Sequence, residues 1–238
     1  MLKVPDNRFL MYVLPRSGST SMVSMLKVHP DIGKMDYEPF RVHHLKRLKK
    51  EELDEKMRRL AFLDGFKIHV NQIEQGLVAR ALKKRKKVIF MDRRNIFKCA
   101  LSHDRAAQSG VWQKIAKDSH KLKYDIPVNV DRVKKLIDFL SKRRKQALQI
   151  LKKEKIDFYH LVYEDFYLTS EDEKIRQLSE IFEFLGHRPI VNDDMLRVLR
   201  TERLNDERTY FQITDIYKIE KEFGSNENGW LFNGGLQL

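Results

Sequence analysis

The sequence predicts an α/β fold: a single domain with a mainly parallel β-sheet flanked by helices. Apolar runs of strand length alternate with amphipathic helical patterns, which is the order of repeated βαβ units. The run Val88–Phe90 is apolar at every position, as in a parallel strand that is covered on both faces. A small polar loop, Pro15–Ser21, directly follows the first apolar run, and the functional hypothesis starts from this loop.

The elements are predicted in chain order from apolar spacing and from residues that end helices. The first strand covers 8–14 and the first helix 18–28, which ends at His29-Pro30 because proline disfavours helix in the residue before it. An extended piece follows at 34–37, and one or two surface helices at 41–61. Later strands are predicted at 65–70, 87–91 and 157–162, and later helices at 73–82, 95–107, 133–151, 171–185 and 213–223.

Length and composition suit one folded domain. The 238 residues show no internal repeat, and no linker rich in proline, glycine or serine divides them. We therefore expect a single domain over residues 1–238, with a core over about 8–185 and a helical C-terminal extension over about 186–238. The hydrophobic share of 42% is that of a folded protein rather than a disordered one.

The balance of charge favours an anionic partner. Forty-seven Lys and Arg residues against 34 Asp and Glu give a net charge of +13. Nucleic acid, anionic lipid headgroups and phosphorylated or sulfated small molecules all fit such a surface. No RNA-recognition, zinc-finger or helix-turn-helix signature accompanies the basic runs, which makes a nucleic acid the least expected of these partners.

The sequence also favours a cytoplasmic location. Cys99 is the single cysteine, so an intrachain disulfide framework is excluded. No apolar run approaches the ~20 residues of a membrane-spanning helix. The N-terminus lacks the basic and apolar arrangement of a signal peptide, because its apolar run has strand length and leads into the polar loop.

The loop Pro15–Ser21 is typical of an anion-binding site. A strand, a loop of small polar residues and a helix start follow one another, which is the order that aims backbone N–H groups at a phosphate. Gly18 permits close approach of the backbone, and Arg16 supplies a cation suited to oxyanions. The loop lacks the Lys-Ser/Thr ending of G-x-x-x-x-G-K-[ST], which argues against a standard ATP or GTP loop.

A second candidate anion site follows the strand at 87–91. Arg94 lies at the end of that strand, and Ser102 comes eight residues later, about two helical turns along. Because ligands of open α/β sheets bind at the carboxyl ends of strands, we expect both sites to open on the same edge. Two anion sites on one edge suit a nucleoside that carries two phosphates.

These two motifs resemble those of the sulfotransferases that use 3′-phosphoadenylyl sulfate (PAPS). Pro15–Thr20 resembles the family pattern P-[KR]-[ST]-G-[ST]-T, and Arg94-Asn95 with Ser102 resembles its 3′-phosphate site. The resemblance extends over about residues 8–185, and it is closer to bacterial carbohydrate and lipid sulfotransferases, of the trehalose or nodulation-factor kind, than to the animal cytosolic enzymes. One departure is that no Arg-Lys-Gly segment stands near the C-terminus, which leaves part of the 3′-phosphate site unassigned.

The resemblance implies a P-loop-like, three-layer sulfotransferase fold with PAPS as the sulfate donor. It implies transfer of a sulfuryl group, in line, from PAPS to a hydroxyl of a carbohydrate or glycolipid. No metal is predicted, because no cluster of His, Cys and carboxylates has ligand spacing. Carried over by position, the residues that hold the 5′-phosphosulfate are Arg16, Ser17, Gly18, Ser19, Thr20 and Ser21, and those that hold the 3′-phosphate are Arg94 and Ser102.

The reaction calls for a cation at the leaving group and a base for the acceptor proton. Arg16 is the candidate cation. Glu38 is the first candidate base, since the resemblance to the bacterial carbohydrate group implies a Glu after strand 2. His69 is the second, because histidine is the commonest general base near neutral pH, although its apolar neighbours are typical of a packed histidine. His103 and Asp104 also remain open as bases.

Two other classes of function remain open. A small-molecule or nucleotide kinase of related architecture would be expected to have the Lys-Ser/Thr loop ending and a carboxylate for Mg²⁺. A basic nucleic-acid-binding protein could use the same sheet edge without catalysis. Lys67, in the strand that carries His69, has two interpretations: it points to the ligand, or it is exposed to solvent, which is the expectation because lysines at strand ends commonly are.

Overall fold

Five parallel strands form the central sheet in the computed structural model, which describes residues 7–36, 38–40, 49–85, 87–112, 127–200 and 210–232. The strand order is β2-β3-β1-β4-β5. The bounds are β1 Phe9–Val13, β2 Met35–Asp36, β3 Gly65–His69, β4 Lys87–Asp92 and β5 Phe158–Val162. Every strand lies at a predicted position, and the α/β class with a parallel sheet flanked by helices is confirmed.

Helices connect the strands, as the pattern predicts. Their bounds are α1 Ser19–Lys27, α2 Lys50–Arg59, α3 Gln75–Leu82, α4 Ile96–Ser109, α5 Val130–Lys153, α6 Tyr163–Tyr167, α7 Glu171–Leu185, α8 Asp193–Leu199 and α9 Ile216–Phe223. Of the surface helices predicted at 41–61, α2 is present, and 41–48 lies outside the described residues. The short helices α6 and α8 were not predicted, because one or two turns give too little periodicity to detect.

The chain divides into two compact units. The first contains Met1–Asp92 and Arg143–Arg200, and with them the whole sheet. The second contains Arg93–Lys142 and Thr201–Leu238, and with them α4 and α9. Helix α5 contributes its residues up to Lys142 to the second unit and the remainder to the first.

Register in the first unit brings three strand ends to one level. Val13 of β1 pairs with His69 of β3 on one side and with Met91 of β4 on the other. The pairing continues one residue past β1, since the Leu14 amide donates to the Met91 carbonyl at 2.9 Å. The loop that follows β1 therefore begins beside the ends of both neighbouring strands.

The core of the first unit holds β1 and α1 in place. Strand β1 is buried at all five positions. Its residues Phe9, Met11 and Val13 pack in one cluster with apolar residues of α1, α7 and α8. Each fully buried side chain of this size contributes about 1.5–3 kcal/mol. The two elements that flank the polar loop are thus among the most firmly packed in the unit.

A buried carboxylate fastens α5 and β5 to the end of β4. The Asp92 side chain is fully buried. Its two oxygens accept hydrogen bonds from Nε of Arg144 at 2.8 and 2.9 Å, and Nε2 of His160 lies 3.2 Å from Oδ2. Because a buried charge needs such partners, this cluster explains why an aspartate is tolerated there.

Candidate functional site

The polar loop has a strained backbone. Arg16 has a φ of 64° and Gly18 a φ of 78°, so two left-handed residues lie on either side of Ser17. For a residue other than glycine this conformation costs roughly 1–2 kcal/mol. Left-handed residues in a turn orient successive N–H groups into a concave, anion-binding nest. Observed strain of this kind clusters at functional sites, which supports the choice of Arg16 as a functional residue.

Helix α1 begins at the loop with open amide groups. Gly18 is its N-cap residue, and among the described residues no side chain caps this helix start. The N–H groups of Ser19, Thr20 and Ser21 form the first turn, where helical amides have no partner within the helix. The helix start and its dipole therefore favour an anion at this point.

The hydroxyl of Ser17 is directed inward. It donates to the carbonyl of Leu14 at 2.7 Å, and the residue is fully buried. A contact between Ser17 and a ligand would therefore be made by its backbone N–H. Ser19 is also buried, whereas Thr20 and Ser21 are half-buried.

Tyr167 of α6 lies directly on this loop. Its hydroxyl donates to the Gly18 carbonyl at 2.8 Å. A Cβ atom on Gly18 would lie 2.4 Å from Cε2 of the Tyr167 ring, so residue 18 must be glycine for steric reasons as well as for its φ. Sequence reasoning missed this contact, because 149 residues separate the two positions and no spacing rule connects them.

A buried charged cluster lies at the ends of β2 and β3. Oε1 of Glu38 lies 3.0 Å from Nζ of Lys67 and 3.1 Å from Nε2 of His69. Nε2 of Gln72 donates to Oε2 of the same carboxylate at 3.2 Å, and Oε1 of Gln72 accepts from the His69 amide at 2.8 Å. The structure thus brings together Glu38 and His69, which the sequence presented as alternative bases.

Lys67 is not exposed, and the expectation that it would be is wrong. Its side chain retains 2% of its accessible surface. The reason is the carboxylate of Glu38, which supplies the partner that a buried ammonium group requires. That partner follows a different strand, so nothing in the local sequence around Lys67 indicated the burial.

The cluster lowers the pKa of both its acid and its imidazole. The hydrogen bond from His69, assisted by the positive charge of Lys67, lowers the pKa of Glu38 to about 2. Burial lowers the pKa of His69 below its ordinary 6.5, and the charges of Lys67 and Arg16 add to this effect against the hydrogen bond with Glu38. Near neutral pH, Glu38 is ionised and His69 is neutral.

The loop that carries Arg16 begins at the level of the cluster, because Val13 at the end of β1 pairs with His69 of β3. The charge of Arg16 also lowers the pKa of the imidazole. Nε2 of His69 faces Glu38, and Nδ1 is buried with no hydrogen-bond partner among the described residues. A neutral imidazole that donates from Nε2 to a carboxylate presents Nδ1 as its proton acceptor. The first unit therefore contains a strained loop with an arginine and, at the level where that loop begins, a neutral imidazole.

The second candidate anion site belongs to the second unit. Arg94 is exposed just before α4, and Ser102 is buried within the helix. Asn95 caps α4 by accepting from the Lys98 amide at 2.8 Å. The structure thus places Arg94 beside a capped helix start, and its predicted role in binding a 3′-phosphate stays a prediction.

A C-terminal segment packs against the start of α4. Nδ2 of Asn95 donates to the Trp230 carbonyl at 2.6 Å, and the Phe97 amide donates to the Asn228 carbonyl at 3.0 Å. A Cβ atom on Gly229 would lie 2.5 Å from Cγ of Asn95. The segment around 228–230 therefore lies beside the start of α4, next to Arg94. In the absence of the Arg-Lys-Gly pattern, the sequence had assigned no residues to this place.

The two other candidate bases differ in their surroundings. Asp104 is fully buried, and its carboxylate accepts from Gln108 at 2.6 Å and pairs with Arg132 at 3.3 Å. These contacts give Asp104 a structural role that joins α4 to the start of α5. The ring of His103 meets the partly exposed ring of Trp112 edge to face, with centroids 5.1 Å apart.

Comparisons with known proteins leave the family open. Within the described ranges, no helix combines the length and the apolar character needed to cross a bilayer. A scan against protein-family models finds no match, and a search of curated proteins finds no relative. The α/β fold with its parallel sheet is the level at which the structure classifies this chain.

Proposed function

We propose that the protein is a cytoplasmic, PAPS-dependent sulfotransferase that acts on a hydroxyl of a carbohydrate or glycolipid. One observation carries the proposal: the strained loop that contains Arg16 leaves β1 beside His69 of β3, and His69 is hydrogen-bonded to Glu38. Group transfer from an anionic donor to a hydroxyl needs these parts side by side, namely an anion site, a cation and a base.

The first unit fits the phosphosulfate end of such a donor. The amides of Ser19–Ser21 and the left-handed backbone at Arg16 and Gly18 form the cradle. When bound, PAPS supplies the sulfuryl group and a phosphate leaving group. Arg16 stabilises the negative charge that develops on the oxygen between them. By resemblance, Arg94 and Ser102 bind the 3′-phosphate.

The geometry favours His69 over Glu38 as the proton acceptor. A carboxylate with a pKa of about 2 that accepts from Lys67, His69 and Gln72 has little affinity for another proton. His69 is neutral near pH 7, and its Nδ1 has no hydrogen-bond partner among the described residues, whereas both oxygens of Glu38 already accept hydrogen bonds. Glu38 then fixes the imidazole by accepting from Nε2, and it stabilises the imidazolium that forms when Nδ1 takes the proton from the acceptor hydroxyl.

Lys67 keeps Glu38 ionised in this arrangement. The ion pair at 3.0 Å makes protonation of the carboxylate unfavourable, so Glu38 remains a hydrogen-bond acceptor for His69. Lys67 also opposes protonation of His69, which keeps the imidazole neutral and able to accept a proton near neutral pH. The cluster therefore keeps His69 in the neutral form that a general base requires.

The test is binding of 3′,5′-bisphosphoadenosine (PAP), the product left by PAPS, in parallel with ATP and a short oligonucleotide. At a PAP concentration 100 times its Kd, we expect the melting temperature to rise by about 5–10 °C. ATP and the oligonucleotide should give no comparable rise. Transfer of radioactive sulfate from PAPS to a panel of glycans and glycolipids then identifies the acceptor.

Two outcomes would contradict the proposal. Stabilisation by ATP with Mg²⁺, together with indifference to PAP, would favour a kinase of related architecture. Salt-sensitive binding of the oligonucleotide, without any effect of PAP, would favour a nucleic-acid-binding protein.

A further inference from the structure

We propose that Tyr167 is a positioning residue for the anion loop: its phenol holds the Gly18 carbonyl and the first turn of α1 so that the amides of Ser19–Ser21 face the bound anion. The inference rests on the proposed function, since it takes the 5′-phosphate end of PAPS or PAP as the ligand of the loop. Tyr167 does not contact the reacting atoms, so its role is to orient the groups that do.

The phenol hydroxyl meets the first helical hydrogen bond of α1 at its acceptor. It donates to the Gly18 carbonyl at 2.8 Å. The direct bond from the Met22 amide to the Gly18 carbonyl is long, at 3.3 Å. Tyr167 thus satisfies the Gly18 carbonyl, which would otherwise draw a first-turn amide away from the bound anion.

The ring itself is fixed in place. Tyr167 is partly buried against the apolar core of the unit, and this burial raises the pKa of its hydroxyl, so the proton that Gly18 accepts stays on the phenol. The ring of Phe166 is perpendicular to it at 4.8 Å, and the ring of Tyr163 is 5.0 Å away. Because the ring also fills the space beside Gly18, it limits how the loop can move.

The functional consequence concerns affinity for the 5′-phosphate. Amides that are already oriented need no reorganisation when the anion binds. Loss of the hydroxyl lets the Gly18 carbonyl turn, and the first-turn amides lose their common direction. Small displacements of this kind reduce binding and turnover strongly even when the substituted group is remote from the chemistry.

The variant Tyr167→Phe removes the hydroxyl and keeps the ring. We expect its affinity for PAP to fall about tenfold, which is the effect of losing one hydrogen bond that orients the binding site. Its affinity for 3′-AMP, which lacks the 5′-phosphate, should stay within about twofold. The matched control is Tyr159→Phe, since the Tyr159 hydroxyl donates to Glu180 at 3.1 Å, away from the loop. This control should bind both nucleotides like the wild type.

Calorimetry with PAP, 3′-AMP and inorganic pyrophosphate separates the outcomes. If the wild type and Tyr167→Phe bind PAP equally well, the positioning role is overturned and the proposed function still holds. Equal losses for PAP and 3′-AMP also overturn it, because they indicate a general structural effect. Wild-type protein that ignores PAP but binds pyrophosphate overturns the proposed function, and the pyrophosphate affinities then test Tyr167. If the wild type binds neither PAP nor pyrophosphate, the proposed function and the positioning role of Tyr167 are both overturned.

Hydrogen exchange on the wild type provides a second test, which holds even if the variant does not fold. The Met22 amide should be protected before PAP is added, because the Gly18 carbonyl that Tyr167 holds already accepts from it. PAP should then increase protection at Ser19–Ser21 alone. If the Met22 amide exchanges as fast as the amides of Ser19–Ser21 until PAP is added, the proposal is contradicted.

Discussion

Nε2 of His69 lies 3.1 Å from Oε1 of Glu38, and the same oxygen lies 3.0 Å from Nζ of Lys67. The imidazole thus shares its carboxylate with a buried ammonium group. Near neutral pH the carboxylate is held ionised and the imidazole neutral, and our proposal assigns the two candidate bases different roles on that ground. The first five predictions concern this cluster and the loop beside it.

His69→Asn should lower the rate of sulfate transfer by about 10²–10⁴-fold, the contribution of a general base. PAP affinity should change little, since the imidazole does not contact the phosphates. Steady-state rates with the acceptor identified above measure the first quantity and calorimetry the second. The control His187→Asn alters a half-buried histidine of the same unit and should keep normal turnover. Normal turnover by His69→Asn would remove it as the base.

Glu38→Gln should reduce turnover less than His69→Asn, by about tenfold to a hundredfold. The amide can still contact His69, but it no longer stabilises the imidazolium. It also removes the carboxylate that lies 3.0 Å from the buried Nζ of Lys67, so the free energy of unfolding should fall as well. Kinetics and urea denaturation of the same preparation give both quantities. A larger loss of turnover for Glu38→Gln than for His69→Asn would return the role of base to Glu38.

Arg16→Gly should separate stability from binding. Glycine relieves the left-handed strain at position 16, so the free energy of unfolding should stay constant or rise by up to about 1 kcal/mol. PAP affinity should fall about 10–100-fold, because a charge-assisted contact is lost. Arg16→Ala loses the charge and keeps the strain, so it should bind PAP equally poorly and be less stable than Arg16→Gly. Tight PAP binding by either variant would exclude Arg16 from the site.

Stability should fall as the pH drops below about 6.5. The folded-state pKa of His69 lies below its ordinary 6.5, so the unfolded chain takes up a proton first and is favoured between these two values. His187, whose pKa is lowered by burial, adds to the same change. Urea denaturation at several pH values from 7 to 5 should show a shallower decline for His69→Asn than for the wild type. Identical slopes would show that His69 is not held neutral.

A second loss of stability is expected at lower pH from Glu38. Its pKa is about 2 in the folded protein against 4.5 for an ordinary glutamate, so its stabilising effect disappears as the pH falls from about 4.5 towards 2. Glu38→Gln should lack this component in the same titration.

Asp92→Asn should lower the free energy of unfolding by about 3–5 kcal/mol, because Arg144 would lose its buried charged partner. Asp157→Asn is the matched control, since its ion pair with Lys87 at 2.6 Å is largely exposed and should contribute less than about 1 kcal/mol. Urea denaturation at neutral pH measures both. Equal effects of the two substitutions would mean that burial at Asp92 matters less than the structure indicates.

The sequence predicted the sheet well because its strands are short apolar runs that the parallel arrangement buries on both faces, as in β4. Helix α6 escaped detection because its five residues directly follow β5. The anion loop was predicted from composition and order alone. Its left-handed Arg16 was not, because no local residue pattern indicates a positive φ for arginine.

The contacts within the site were beyond the sequence for a different reason. Lys67 lies on β3 and Glu38 follows the neighbouring strand β2, and Tyr167 contacts Gly18 although 149 residues separate them. Such pairs are set by tertiary packing, which neither periodicity nor propensity encodes. Residue types therefore indicated which groups were available, whereas the fold decided which of them meet.

The fit of the Tyr167 ring against Gly18 has an evolutionary consequence. A side chain at position 18 cannot coexist with a large ring at position 167, because their atoms would approach to 2.4 Å. Homologues should therefore show covariation: glycine at 18 wherever an aromatic residue stands at 167, and a small residue at 167 wherever 18 has gained a side chain. This coupled pair offers a way to recognise distant relatives of this chain whose overall sequences have diverged.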